Sequence, residues 1–116
     1  MSSITTHVLD VSLGRPAAGV LVRLDRQSHD GRWETIGSQK TDSDGRVRDL
    51  TPADEPLVPA VHRLTFEVGP YFRSNDVDSF YQEVTIAFTV NDDDASQHYH
   101  VPLLLSPFGY STYRGS

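Results

Sequence analysis

Apolar and polar residues alternate along several stretches of the chain. At positions 84–90, valine, isoleucine and phenylalanine alternate with threonine and alanine, and positions 62–68 and 20–25 repeat the alternation. Successive side chains of a β-strand point to opposite faces, so a period of two predicts half-buried antiparallel strands. Further strands are predicted at about 4–11, 32–41, 46–49, 98–105 and 111–115.

Turn-forming residues separate these stretches. Aspartate, serine and glycine occupy positions 42–45, and a Pro-Phe-Gly sequence occupies 107–109. Short strands separated by such turns predict an all-β sandwich or barrel. Segment 74–80 breaks the alternation and begins with Ser74 and Asn75, which favour helix N-termini. A short helix is therefore predicted there, before the strand that follows.

Length, charge and composition narrow the class of protein. The chain has 116 residues, which fits a single domain over 1–116. It has no cysteine, which excludes disulfides, thiolate zinc sites and cysteine nucleophiles. A net charge of −6 without a basic stripe argues against nucleic acid and anionic membrane as partners. No signal peptide or apolar run of roughly 20 residues is present, so a cytoplasmic location is expected.

Three histidines form a candidate site. His98 and His100 lie on one face of the predicted strand 98–105. If that strand pairs with strand 4–11, His7 can become their cross-strand neighbour. Three interpretations stay open for the imidazoles: half-exposed polar side chains, a zinc site with His7 as third ligand, or acid–base catalysis.

Two other polar residues stand in informative places. Arg46 directly follows the turn at 42–45. It is either a solvated charge or a residue whose guanidinium N–H groups bind a planar anionic ligand. His62 alternates with core positions of its strand, so it is predicted to be structural.

The carboxyl-terminal tail carries an unusual set of polar groups. Its residues are Tyr113, Arg114, Gly115 and Ser116. A phenol, a guanidinium, a flexible glycine and a serine with the terminal carboxylate follow an apolar strand and a turn. These groups could close a polar pocket around a small anionic or amide-bearing ligand.

Three separated motifs together resemble the transthyretin-like family, over nearly the whole chain. The opening motif is Thr-His-Val-Leu-Asp at 6–10, followed by Gly-Arg-Pro-Ala at 14–17. The turn motif is Thr-Asp-Ser-Asp-Gly-Arg at 41–46, and the closing motif runs through 98–107 and 110–116. Their order and the terminal tetrapeptide place the resemblance in the hydrolase branch of that family.

The resemblance implies a fold, an assembly and a reaction. The expected fold is a transthyretin-like sandwich of two four-stranded sheets with one short helix. The expected assembly is a homotetramer, a dimer of dimers, with sites in a channel between dimers. The implied reaction is hydrolysis of 5-hydroxyisourate to 2-oxo-4-hydroxy-4-carboxy-5-ureidoimidazoline in urate degradation, without metal or organic cofactor. The alternatives are a transthyretin-type carrier that uses the same channel and a purely structural sandwich domain.

The resemblance also assigns roles by motif position. The catalytic residues it implies are His7, Arg46 and His100, and the substrate-binding residues are Tyr113, Arg114 and Ser116. The histidines are expected to hold and deprotonate a water molecule. The guanidinium of Arg46 is expected to offset charge in the tetrahedral intermediate.

Overall fold

The structure, a computed structural model, describes residues 3–51, 57–91 and 98–115. The elements, in chain order, are β1 (Ser3–Asp10), β2 (Arg15–Pro16), β3 (Leu21–Gln27), β4 (Trp33–Lys40), β5 (Arg46–Val47), β6 (Ala60–Glu67), α1 (Val68–Ser74), β7 (Val84–Val90), β8 (His98–Ser106) and β9 (Gly109–Thr112). The predicted strands are therefore confirmed, with ends that differ by a few residues. The largest difference is at the carboxyl end, where strand structure stops at Thr112.

Two sheets pack face to face, which confirms the predicted sandwich. One sheet has the order β2-β1-β8-β9, with β5 also paired to β1, and the other has the order β4-β3-β6-β7. The first sheet thus has five strands instead of four, because the two-residue strand β2 joins it. Alternate residues of β1, from Ile4 to Asp10, are buried between the sheets. The intervening residues, including His7, face away from this core.

The parallel pairing of β1 with β8 sets the position of the histidines. Thr5 lies opposite His100, and His7 lies opposite Pro102. The predicted pairing of these strands is confirmed, but the register makes His7 and His100 diagonal neighbours instead of direct partners. Ser3 lies opposite His98, so the outward faces of both strands present a continuous row of polar side chains.

The helix lies earlier than the sequence predicts. It spans Val68–Ser74, and the segment predicted to be helical begins where it ends. Pro70 fits its first turn, where a missing N–H removes no intrahelical bond. Ser74 and Asn75 donate side-chain hydrogen bonds to the carbonyl of Tyr71, so these polar residues end the helix instead of starting it. No helix among the described residues is long and apolar enough to cross a membrane.

His62 is structural, as predicted. Its side chain is fully buried, its ring stacks on Phe88, and its Nδ1–H donates to the carbonyl of Ala60 at 3.1 Å. Burial lowers the pKa of His62 below its usual 6.5, with a smaller effect from nearby Arg26. The core therefore favours the neutral ring.

The free energy of unfolding is expected to fall as the pH drops below about 6.5. The reason is that His62 binds a proton more readily in the unfolded chain, so acid favours unfolding until the lowered folded-state pKa is passed. Denaturant unfolding at several pH values measures the slope of the free energy of unfolding against pH. His62→Leu should flatten it, whereas replacing the exposed His29 with glutamine should leave it unchanged. An equal slope in the wild type and His62→Leu would contradict the assignment.

Candidate active site

A polar cavity of about 330 Å³ opens beside β1, β5 and β8. Its walls are formed by Thr5, Thr6, Arg46, Val47, Arg48, His98 and His100. Two guanidinium groups and two imidazoles therefore surround one small space. Such a lining suits a planar, anionic ligand that offers several hydrogen-bond acceptors.

A tight turn places Arg46 at this cavity. The carboxylate of Asp42 accepts hydrogen bonds from two backbone N–H groups, one of them that of Arg46 at 3.0 Å. Gly45 has φ of 76°, and a Cβ on it would lie 2.4 Å from the carbonyl oxygen of Val8. Only glycine fits this position, for both conformation and space. The turn thus enters β5 with Arg46 directly opposite His7 on β1.

The same turn holds the ring of His7. The distance from His7 Nε2 to the carbonyl oxygen of Asp44 is 2.8 Å. A carbonyl can only accept, so Nε2 carries the hydrogen and, in the neutral ring, Nδ1 keeps the free lone pair. His7 does not line the cavity, but it lies close enough to His100 to affect its charge.

The surroundings of His100 favour the neutral ring, which can act as a base. It is half-buried, its Nδ1 lies 2.8 Å from Thr5 Oγ1, and its Nε2 has no hydrogen-bond partner among the described residues. Burial lowers the pKa of His100, and the positive charges of Arg46, His98 and His7 lower it further. The ring is therefore neutral near pH 7, with a nitrogen free to accept a proton.

The tail reaches the site through Gly115. Its N–H donates to the carbonyl oxygen of His100 at 2.8 Å. A Cβ on Gly115 would lie only 2.5 Å from Cδ2 of the His100 ring. Glycine is therefore required by the close approach of the tail to the imidazole. Ser116, predicted to bind substrate, lies outside the described residues.

Tyr113 and Arg114 lie elsewhere in the single chain. They line a second cavity of about 220 Å³ that also involves Phe88 of β7 and Tyr99 of β8. The Arg114 guanidinium lies 4.7 Å from the ring centroid of Tyr99, on the face of β8 opposite His100. One chain thus brings His7, Arg46 and His100 together but not these two tail residues. Their role in binding substrate stays a prediction.

Two residues of the site, Thr5 and Arg48, were not predicted from the sequence, and for a third, Gly115, the sequence indicated only a flexible position in the tail. Thr5 shares the outward face of β1 with His7, so strand periodicity could have found it. Arg48 could have been found in the same way, two positions after Arg46. The close approach of Gly115 to His100 had no signal, because it depends on how the folded tail packs against the ring.

In the part of the chain that the structure describes, the site does not group ligands for a metal ion. Among the described residues, no three histidine, aspartate or glutamate side chains are close enough together to hold one. The expectation that no metal is needed stays a prediction.

Comparisons with known proteins agree with this fold. The HIUase/Transthyretin family model matches residues 4–115. Over 115 residues the chain is 49% identical to a probable 5-hydroxyisourate hydrolase of Caenorhabditis elegans, covering 99% of this chain and 82% of that protein. The solved 5-hydroxyisourate hydrolase of Klebsiella pneumoniae is 36% identical, with a TM-score of 0.84 over 100% of this chain and 94% of that chain. Sea bream transthyretin in complex with thyroxine is 26% identical, with a TM-score of 0.89 over 97% of this chain and 94% of that chain.

Proposed function

Because the chain belongs to the HIUase/Transthyretin family, we propose that it hydrolyses 5-hydroxyisourate, a step in urate degradation. The proposal depends on one observation, that His100 and Arg46 line the same polar cavity. His100 is half-buried there, and burial lowers its pKa. We propose that residues 1–116 form a single hydrolase domain. Its cytoplasmic location stays a prediction from the sequence.

The proposed reaction begins with the activation of water. His100 Nε2 accepts a proton from a water molecule, whose oxygen forms a bond to the carbonyl carbon of the ring amide. The guanidinium of Arg46 stabilises the negative charge that develops on the carbonyl oxygen. The carbon–nitrogen bond then breaks, and the leaving nitrogen takes the proton back from His100. His7 is held by the Asp44 carbonyl beside the cavity, and its charge helps to lower the pKa of His100. Its role in holding the water stays a prediction.

The alternative is a carrier that uses the same channel, as the thyroxine complex of sea bream transthyretin suggests. A site for a largely apolar ligand is lined mainly by apolar side chains. Here two arginines and two histidines line the cavity. The charged lining favours the hydrolase.

Ultraviolet absorbance separates the two functions. The enzyme is expected to accelerate the decay of freshly generated 5-hydroxyisourate when present at far less than one molecule per substrate molecule. A carrier would bind its ligand but leave the decay rate at the spontaneous value. A rate that does not increase with protein concentration would contradict the proposed hydrolysis.

We also propose that four chains assemble. Among the described strands, β7 pairs only with β6 and β9 only with β8, so each sheet ends in an edge that can pair with another chain. Phe80 and Phe108 are 75% and 70% exposed, and the exposed rings of Phe80 and Tyr110 both pack against Tyr81. Exposed aromatic side chains of this kind favour a protein interface.

Light scattering is expected to give a mass near four times the 12.9 kDa of one chain. Replacing Phe108 with aspartate should lower that mass, because a charge would be buried at the interface. The exposed Val58 provides a matched control when replaced with aspartate. A monomeric mass for the wild type at micromolar concentration would contradict the assembly.

A further inference from the structure

A chain of hydrogen bonds runs outward from the proposed base. His100 Nδ1 lies 2.8 Å from Thr5 Oγ1, and the same oxygen lies 3.1 Å from His98 Nε2. At the far end, His98 Nδ1 lies 2.5 Å from Ser3 Oγ. The register of β1 and β8 produces this alignment, because Ser3 and Thr5 lie opposite His98 and His100.

The hydroxyl of Thr5 couples the two rings. It has one hydrogen, so it can donate to only one of the two imidazole nitrogens that contact it. With both bonds formed in neutral rings, the other nitrogen must donate to Thr5. In the first order, His100 Nδ1–H donates to Thr5 Oγ1, and the Thr5 hydroxyl donates to His98 Nε2. In the second order, His98 Nε2–H donates to Thr5 Oγ1, and the Thr5 hydroxyl donates to His100 Nδ1. Only the first order leaves Nε2 of neutral His100 without a hydrogen.

We propose that Thr5 is a positioning residue that keeps the hydrogen of neutral His100 on Nδ1. Its hydroxyl also links His100 to His98, which can then take up the positive charge during the reaction. The inference rests on the proposed hydrolysis for its kinetic consequence. The choice between the two hydrogen-bond orders rests on it as well, although the tautomer can be measured in the free protein without substrate. A base that works through Nε2 needs this tautomer, since the tautomer of a histidine is set by the bond that its other nitrogen makes.

The proton movement balances along the chain. When His100 Nε2 gains the proton of water, its Nδ1 proton can pass to Thr5 Oγ1 as the hydroxyl proton of Thr5 passes to His98 Nε2. His98, which keeps its Nδ1–H toward Ser3, then carries the positive charge. The reverse shift restores the charge to His100 as the leaving nitrogen takes the Nε2 proton.

The surroundings of the two rings support this direction. His98 is exposed, whereas His100 is half-buried near the charges of Arg46 and His7. A positive charge is therefore better solvated on His98 than on His100. The two rings are stacked, with centroids 6.4 Å apart and planes that differ by 13°, and one nitrogen of each contacts the Thr5 hydroxyl.

Nitrogen NMR of the histidine rings tests the tautomer without substrate. In the free wild-type protein at pH 8, the signal of His100 should show hydrogen on Nδ1. Thr5→Val keeps the shape of the side chain but removes the hydroxyl, so it should move hydrogen toward Nε2. Thr5→Ser should restore the wild-type pattern. Hydrogen on Nε2 in the wild type, or an unchanged pattern in Thr5→Val, would overturn the proposal.

Kinetics test the consequence of the tautomer. Thr5→Val should lower kcat about tenfold or more, a part of the ~10²–10⁴ that a general base contributes, with a smaller change in KM. Thr5→Ser should recover most of the loss. Thr65→Val is the matched control, since among the described residues the Thr65 hydroxyl makes a hydrogen bond only with Thr85, in the other sheet. The inference would be overturned if Thr5→Val kept the wild-type kcat, or if Thr5→Ser lost as much kcat as Thr5→Val. An inactive wild type would instead refute the proposed function.

Discussion

Replacing His100 with asparagine is expected to lower kcat for 5-hydroxyisourate by about 10²–10⁴. Asparagine is smaller and polar, but it cannot take a proton from water at neutral pH. Loss of the ring removes the group whose pKa burial and Arg46 keep low. Turnover is measured from the absorbance decay after subtraction of the spontaneous rate.

The control for this substitution is His29→Asn, because His29 is exposed in a turn away from the cavity. Its kcat should match the wild type, and both variants should unfold near the wild-type temperature. Wild-type turnover in His100→Asn would remove this residue from the reaction.

Gly115→Ala is expected to lower kcat/KM about 10²-fold. The added Cβ would lie 2.5 Å from Cδ2 of His100, whereas ordinary contact begins near 3.4 Å. Either the ring or the tail must therefore move by roughly 1 Å, and a misplacement of that size costs about 10²-fold in rate. The thermal midpoint should change little, since the tail adds no residue to the core.

Gly109→Ala provides the matched control in the adjacent β-hairpin. The nearest atom to a Cβ there is Ser106 Oγ at 3.6 Å, an ordinary contact, and its φ is not positive. This variant should keep wild-type kcat/KM. Equal activity in the Gly115 and Gly109 variants would show that the close approach of the tail does not position His100.

Much of the fold could be predicted from the sequence because its cause is local. The alternation at 84–90 reflects a strand with one face toward the core, and β7 has those bounds. The sequence predicts the helix too late in the chain, because Val68 continues the apolar–polar alternation of β6. In the structure, Val68 is the first residue of α1. Polar residues such as Ser74 satisfy backbone groups at either end of a helix, so their presence did not indicate which end they occupy.

The site was only partly predictable, because it depends on register and close packing. Periodicity predicted that His98 and His100 share one face, whereas Arg46 was assigned to the site only by the family resemblance. The structure brings all three to one cavity. The parallel register that brings Thr5 to His100 has no signal in either strand alone. The separation of Arg114 from the cavity results from its stacking on Tyr99, a contact between residues on neighbouring segments of the fold.

The pH dependence of kcat/KM tests most directly whether a neutral His100 removes the proton of water. We expect the midpoint of the acid decline in kcat/KM to lie below pH 6.5, because burial and neighbouring positive charge lower the pKa of His100 from its usual 6.5. In the lower range, protonation of the ring should remove the base. A decline with its midpoint above pH 6.5, or a rate that does not decline in acid, would contradict this assignment.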